Sequence, residues 1–303
     1  MAINYLCGAI PSPPDERDYS VRAAAKTALP KEHCLQRMPD IREQQAGNCV
    51  SQSCRAVCEI LFGKLFGVGF TYGYRPVGYH QGQGMIPREA AQTVTNMGNV
   101  LFKTFKTEVE MPEAKNAVER NLDALTKHAA KNKIKSYARC YCVDDIKTAI
   151  VAGNPVIFGA AIQQYNVEAG NVFPCKKAVH GYHEMTIVGY KGDMCRVANS
   201  WGKDWGDKGY CWISFEDVLR EGDVIAFSNG TNDVTIRRTL KLGMSGEDVR
   251  RLEERLNEEK GISINPDGIF NESTKRAVEV IQKRLGLPVS GTVGTRTWRA
   301  LGL

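Results

Sequence analysis

No apolar run in the chain approaches the roughly 20 residues that a membrane-spanning helix requires, so the sequence offers no candidate span. The opening residues, Met1-Ala2-Ile3-Asn4-Tyr5-Leu6-Cys7, carry no basic region and only a short apolar patch, which reads against a secretory signal. A protein made in the cytoplasm, and released by a route other than general secretion, is expected. The ten cysteines include no Cys-x2-Cys pair, which excludes the usual structural zinc framework. Cys54 and Cys58 stand one helical turn apart, and Cys140 and Cys142 share a strand face. No metal and no other cofactor is expected, and without a signal the thiols are read as reduced and mostly buried. The net charge of +6 is modest. From Arg237 onward 13 basic and 9 acidic residues mix along helical faces, too diffuse for nucleic acid but suited to weak attraction toward anionic wall polymers. No paired carboxylates in a recognisable motif argue for glycan cleavage.

What the chain does have divides into two parts. Its 303 residues leave room for one large and one small domain. Up to about Phe227, helical signals come first and strand signals later. Val50, Cys54, Val57, Cys58, Leu61 and Leu65 recur on one helical face and predict a helix from Cys49 to Leu65. A second helix is expected over Ile86 to Met97, and a helical surface stretch over Pro112 to Asn132. Strand-like runs follow at Tyr137 to Cys142, Pro155 to Ile162, Met185 to Tyr190, Met194 to Ala198 and Tyr210 to Phe215. That order predicts an α+β domain with two subdomains and a cleft between them. Ser228 to Thr239 is polar and rich in turn residues, and reads as a linker. The expected boundaries are therefore residues 1–230 and 238–303. In the tail, Leu240, Val249, Leu252 and Leu256 mark one amphipathic helix, and Ala277, Val278 and Ile281 mark another.

The first part carries residues fit for acyl transfer. Gln44-Gln45-Ala46-Gly47-Asn48-Cys49 opens the first helix, and His183 lies ahead of the apolar run from Met185. Sixteen residues beyond it comes Asn199, in Ala198-Asn199-Ser200-Trp201-Gly202. A cysteine attacks a carbonyl, a histidine takes and returns protons, and an asparagine carbonyl fixes the imidazole. Cys49 must ionise to attack, and a helix N-terminus and a protonated His183 would both favour the thiolate. Gly47 lets the backbone turn sharply before it. His180 stands three residues from His183, but the spacings to Gly189-Tyr190 and to Asn199 select His183.

These residues bring a family with them. Gln44, Cys49, His183 and Asn199-Ser200-Trp201-Gly202, with Trp205-Gly206 and Gly209-Tyr210, resemble the papain-like cysteine peptidases from about Leu29 to about Phe227. The resemblance implies Cys49 at the head of a central helix, His183 and Asn199 on the facing sheet, and Trp201 shielding their hydrogen bond from water. It implies Gln44 as the side-chain donor of the oxyanion hole, beside the Cys49 backbone N–H, with Gln45 the alternative and Glu43 excluded by its charge. Gly82 and Gly84 fall about where relatives present backbone to an extended substrate. Secreted relatives carry a disulfide cysteine three places before the nucleophile; here Ala46 stands there. Glu184 stands where relatives have a small residue. Enzyme-like sequence already begins near Leu29, leaving a segment shorter than the inhibitory propeptide of many relatives, so a protein made active is expected.

The tail resembles the peptidoglycan-binding type-1 domain, a small three-helix module. It matches at Gly243, Gly246, Val249 and Leu252, over Asp267-Gly268-Ile269-Phe270, at Thr274, Ala277 and Val278, and at Thr297-Trp298 and Leu301. Asn271, Ile281 and Ser290 depart from its usual Gly, aromatic and Asp. Together the parts imply a cysteine endopeptidase directed to bacterial peptidoglycan, like the phage lysins that reach the wall through a separate pore. Its partners would be the wall and a peptide or stem-peptide substrate, with neither nucleic acid nor membrane, and the chain a monomer. A wall-anchored protease acting on proteins, and a catalytically dead wall-binding protein, are the rivals.

Overall fold

The computed structural model describes residues 6–13, 20–21, 29–162, 181–220, 223–230, 236–237 and 239–301. The chain divides into two compact units, residues 1–13 with 21–235 and residues 14–20 with 236–303. The polar linker expected over residues 228–239 lies partly outside the described residues, as do His180 and Cys175.

In the larger unit a short strand β1 (Glu32–Cys34) precedes a run of helices: α1 (Cys49–Phe62), α2 (Gly69–Gly73), α3 (Pro87–Asn96), α4 (Glu113–Glu119) and α5 (Leu122–Ala129). Strands dominate afterwards: β2 (Ser136–Arg139), helix α6 (Val143–Val151), β3 (Val156–Ile162), β4 (Gly181–Lys191), β5 (Met194–Ala198), β6 (Tyr210–Ser214), helix α7 (Phe215–Arg220) and β7 (Val224–Ser228). Helices first and strands later is the expected α+β order. The sheet runs β6-β5-β4-β3-β7-β2, and its neighbours pair antiparallel. β4 is long enough to pair with β3 over residues 181–187 and with β1 over residues 189–191.

Helix α1 lies on this sheet with its apolar face inward. Cys49, Val50, Cys54, Val57 and Cys58 pack with Met85 from the α2–α3 connection, Ile157 of β3 and Ile225 and Phe227 of β7. The polar side of α1 is buried too. Arg55, 2% exposed, reaches Glu59 at 2.7 Å and the Asp40 carbonyl at 2.9 Å, which offsets the cost of taking both charges out of water. The helix ends at Gly63, whose φ of 65° suits a left-handed cap, rather than at Leu65 as the apolar spacing predicts. The helical stretch expected over Pro112 to Asn132 is broken at Arg120–Asn121 into α4 and α5, with a 3-10 turn at Ala130–Asn132.

The smaller unit holds α8 (Glu247–Asn257), α9 (Glu272–Arg284) and α10 (Thr295–Ala300) around Leu240, Val249, Leu252, Leu256, Phe270, Val278, Ile281 and Trp298. Asn271, which replaces a glycine of the motif, is the N-cap of α9: its side-chain oxygen accepts from the Ser273 and Thr274 N–H groups at 2.9 and 3.1 Å. Glu253 of α8 is fully buried, accepting from Gly268 N–H at 2.8 Å and the Thr274 hydroxyl at 2.7 Å. That one carboxylate ties both helices to the loop between them. Among the described residues, no helix is long and apolar enough to cross a membrane, and no three His, Cys, Asp or Glu side chains form a metal-binding group.

Candidate active site

The loop before α1 is shaped by two carboxylates that no sequence signature singles out. Glu110 accepts from the Gly47 N–H at 2.7 Å and from the Tyr72 hydroxyl at 3.0 Å. Glu108 accepts from the Gln45 N–H at 3.0 Å, the Asn48 amide at 3.1 Å and the Gln52 amide at 2.7 Å. Held at both ends, residues 45–48 turn into α1 and leave Cys49 as its first residue.

His183 sits within β4 rather than ahead of it, because the strand begins at Gly181. One ring nitrogen, Nε2, bonds the Asn199 side-chain oxygen at 2.7 Å. The Trp201 ring stacks on the imidazole at 4.3 Å with 22° between planes, and Trp205 meets Trp201 edge-on at 5.3 Å. His183 and Asn199 are therefore brought together under an indole cover, as expected. The other ring nitrogen, Nδ1, is buried and has no hydrogen-bond partner among the described residues. On the α1 side, the Cys49 thiol lies against the backbone of Glu184, the residue after His183, whose N–H favours the charged form of the sulfur.

Gln44 is tied to the Asn199 segment. Its N–H donates to the Ser200 carbonyl at 2.8 Å, its side-chain oxygen accepts from the Ser200 hydroxyl at 2.6 Å, and its amide donates to the Ala46 carbonyl at 2.8 Å. A primary amide has two N–H groups, so one remains for a further acceptor. Gln45 is exposed and its amide donates to the Glu43 carbonyl at 3.1 Å.

The largest departure from expectation lies over this site. Residues 6–13 form a strap across it. Ala9 is bridged to Tyr182 on one wall and to Met85 on the other. The Ala9 N–H donates to the Tyr182 carbonyl at 3.0 Å; Met85 N–H donates to the Gly8 carbonyl at 2.7 Å, and Ile10 N–H to the Met85 carbonyl at 2.8 Å. The Trp201 indole N–H donates to the Leu6 carbonyl at 3.2 Å, and the Ser12 N–H to Asp223 at 2.8 Å. Gly84, with φ of 78°, lies so close that an added Cβ would stand 2.6 Å from the Gly8 carbonyl oxygen. The segment around Gly84 does take an extended chain alongside it, and that chain is the protein's own. Against the expectation of a protein made active, residues 6–13 cover a fully buried Cys49.

Covering reverses the expected electrostatics. Cys49 and His183 are both fully buried. Loss of water pushes the Cys49 thiol up to about 12, against hydrogen bonds from the Glu184 and Gly8 backbones that favour the thiolate. The same loss pulls His183 down to about 4, against the Asn199 bond that favours its charged form. Under the strap the pair is a neutral thiol and a neutral imidazole, not thiolate and imidazolium. Cys34, Cys49, Cys54, Cys58, Cys140 and Cys195 are free thiols.

Known proteins agree with this architecture. Residues 78–222 match the papain family cysteine protease model, and residues 245–301 match the putative peptidoglycan binding domain model. Chymomexicain of Jacaratia mexicana is 32% identical over 127 residues, which are 38% of this chain and 54% of that protein. Cathepsin B-like cysteine proteinase 1 of Haemonchus contortus is 28% identical over 108 residues, 34% of this chain and 28% of that protein. The chain thus spans about half the length of the first of these curated relatives and about a quarter of the second. The crystal structure of xylellain, a cysteine protease from Xylella fastidiosa, superposes with a TM-score of 0.63 at 24% identity, covering 73% of this chain and 95% of that one. The larger unit has the papain-like fold, and the chain joins a papain family cysteine protease domain to a C-terminal peptidoglycan binding domain.

Proposed function

We propose that the protein is a cysteine endopeptidase that hydrolyses amide bonds of bacterial peptidoglycan, its C-terminal domain holding it on the wall. The observation that carries this reading is the His183–Asn199 bond of 2.7 Å beneath Trp201, with Nδ1 left unpartnered on a residue whose neighbour touches the Cys49 thiol. Once the strap is displaced and water enters, His183 takes the thiol proton. The Cys49 sulfur then attacks the substrate carbonyl. The resulting oxyanion is met by the Cys49 backbone N–H, one of the helix-terminal donors without an intrahelical acceptor, and by the spare Gln44 amide N–H. His183 gives its proton to the leaving amine as the C–N bond breaks, and a thioester remains. Water, deprotonated by His183, hydrolyses the thioester and restores the thiol. Asn199 keeps the imidazole in the tautomer and orientation that both transfers need.

The wall module supports peptidoglycan as the site of action, and the stem peptide or cross-bridge as the source of the cut amide. Purified cell walls should lose turbidity on addition of the protein, and Cys49→Ala should bind walls without clearing them. Digestion of casein with intact walls would place its substrates among proteins. Hydrolysis by Cys49→Ala as fast as by the parent would remove the thiol mechanism.

A further inference from the structure

Beneath the strap, on the face of β4 opposite that of His183, lies a second functional group, the Glu184 carboxyl. It is fully buried, and neither of its oxygens has a hydrogen-bond partner among the described residues. Its register partner across the sheet is Gly159 of β3. The missing side chain there makes the room, since a Cβ on Gly159 would stand 3.0 Å from Glu184 Oε2. Asp223 borders the same space, 3.9 Å from that position, but its charge is taken up by Arg139 at 3.0 Å. Arg139 also favours the charged form of Glu184, but no hydrogen bond joins the two among the described residues.

The strap offers it nothing. The strap residue bridged to both walls here is Ala9, and its methyl packs on the core that includes Cys49, Met85 and Ile157. A buried carboxyl without a hydrogen bond is held neutral, and burial shifts Glu184 strongly in that direction, with the nearby Asp223 adding to it and Arg139 opposing it. A structural role would be served better by an apolar residue of similar size. An unbonded carboxyl buried close to the reacting thiol, behind an apolar strap residue, has the chemistry of a pocket for a cation.

We propose that Glu184, in the room left by Gly159, selects substrates that place a cationic side chain where Ala9 now lies. The ligand class is an ammonium or guanidinium on a flexible stem: lysine, arginine, or the free amine of a stem-peptide diamino acid. This deepens the function proposed above and rests on it for the identity of the substrate. The pocket itself can be tested without any turnover.

Two measurements test the proposal. In the first, Ala9→Lys supplies a cation from the strap, and the rate at which iodoacetamide alkylates Cys49 is read by mass spectrometry. Ala9→Lys should slow labelling about tenfold or more, since hydrogen bonds to charged groups are among the stronger ones, and Glu184→Gln should abolish the slowing. Ala9→Leu, of similar length without charge, should not reproduce it. Labelling slowed equally by lysine and leucine, or slowed by lysine irrespective of Glu184, overturns the proposal. In the second, fluorogenic peptides carry a single lysine walked from three residues before the cut bond to three after it. One position should favour lysine over leucine in kcat/KM, and Glu184→Gln should reduce that lysine-to-leucine ratio about tenfold or more. Cleavage with no lysine preference, or with a preference that survives Glu184→Gln, sinks the pocket and leaves the peptidase standing. Absence of all cleavage sinks the peptidase and leaves the labelling result to decide on the pocket.

Discussion

Gly8 of the strap and Gly47 of the loop before α1 meet backbone to backbone: a Cβ on Gly8 would stand 1.8 Å from the Gly47 carbonyl oxygen. No rotamer relieves such a contact, because both atoms belong to main chains. Gly8→Ala should therefore lift the strap while leaving the walls of the site unchanged. Alkylation of Cys49 by iodoacetamide should accelerate by at least an order of magnitude, with far-UV circular dichroism unaltered. An unchanged rate would mean that the strap is no barrier to the thiol.

Gln44 and Gln45 are adjacent in sequence but unequal in place. Gln44 is buried and bonded to Ser200, while Gln45 faces solvent. Loss of an oxyanion donor costs roughly 10²–10³ in kcat. Gln44→Ala should show a fall of that size with KM little changed, and Gln45→Ala should resemble the parent. Steady-state kinetics on a small amide substrate separates the two, and equal effects would dismiss the assignment.

Asn199 is bonded to the imidazole at 2.7 Å. Asn199→Ala should retain the nucleophile but lose the orientation of His183, and misplacement of this kind costs about 10²-fold. Cys49→Ala should fall much further, by roughly 10⁶ in kcat as for other nucleophile deletions. Kinetics on one substrate ranks the three proteins, and an Asn199 variant as active as the parent would contradict the arrangement.

The covered site has a pH signature. His183 is held at about 4 in the fold against an ordinary 6.5, so it binds fewer protons folded than unfolded between those values. Its contribution to stability is present above pH 6.5 and is lost as pH falls toward 4, on the order of 3 kcal/mol in all. Glu184 is shifted the other way: its contribution is present below about 4.5 and declines as pH rises. The two oppose each other in the parent, so the difference between parent and His183→Gln isolates the histidine. Urea unfolding at pH 4.5 and 7 should show the parent losing stability relative to His183→Gln at the lower pH.

In the small unit, Thr274→Val keeps shape and removes one of the partners of the buried Glu253 carboxylate. An under-satisfied buried acceptor costs about 1–3 kcal/mol. Thermal unfolding of the chain should show the transition of this unit moving down by several degrees.

The set of Cys49, His183 and Asn199 was legible because each of its parts has a local signature. α1 announces itself by apolar residues at helical spacing, and the block from Asn199 to Gly202 is specific over a few residues. The core of β5 was legible to the residue. By contrast β7 escaped notice, since Val224–Ser228 is buried throughout and shows no alternation to mark a strand. Helix α6 was also missed. Its start is set by Asp145, which accepts from the Tyr141 and Cys142 N–H groups, a device with little hydrophobic pattern.

The strap was illegible for a different reason. Its partners, Met85, Tyr182 and Trp201, lie tens to nearly two hundred positions away, and the bonds are mostly main chain to main chain. Backbone pairing places no demand on residue type except at Gly8 and Gly84, where proximity forbids a side chain. The same holds for the pinning of residues 45–48 by Glu108 and Glu110, which look like ordinary surface acids in sequence.

Trp201 holds the Leu6 carbonyl with its indole N–H and lies flat on the His183 ring. Cover of the thiol and support of the imidazole thus share one side chain. A substitution that loosens the grip on the N-terminal segment also strips the imidazole of its roof, so a form that is both permanently open and fully competent has to be sought among strap residues, with the tryptophan left untouched.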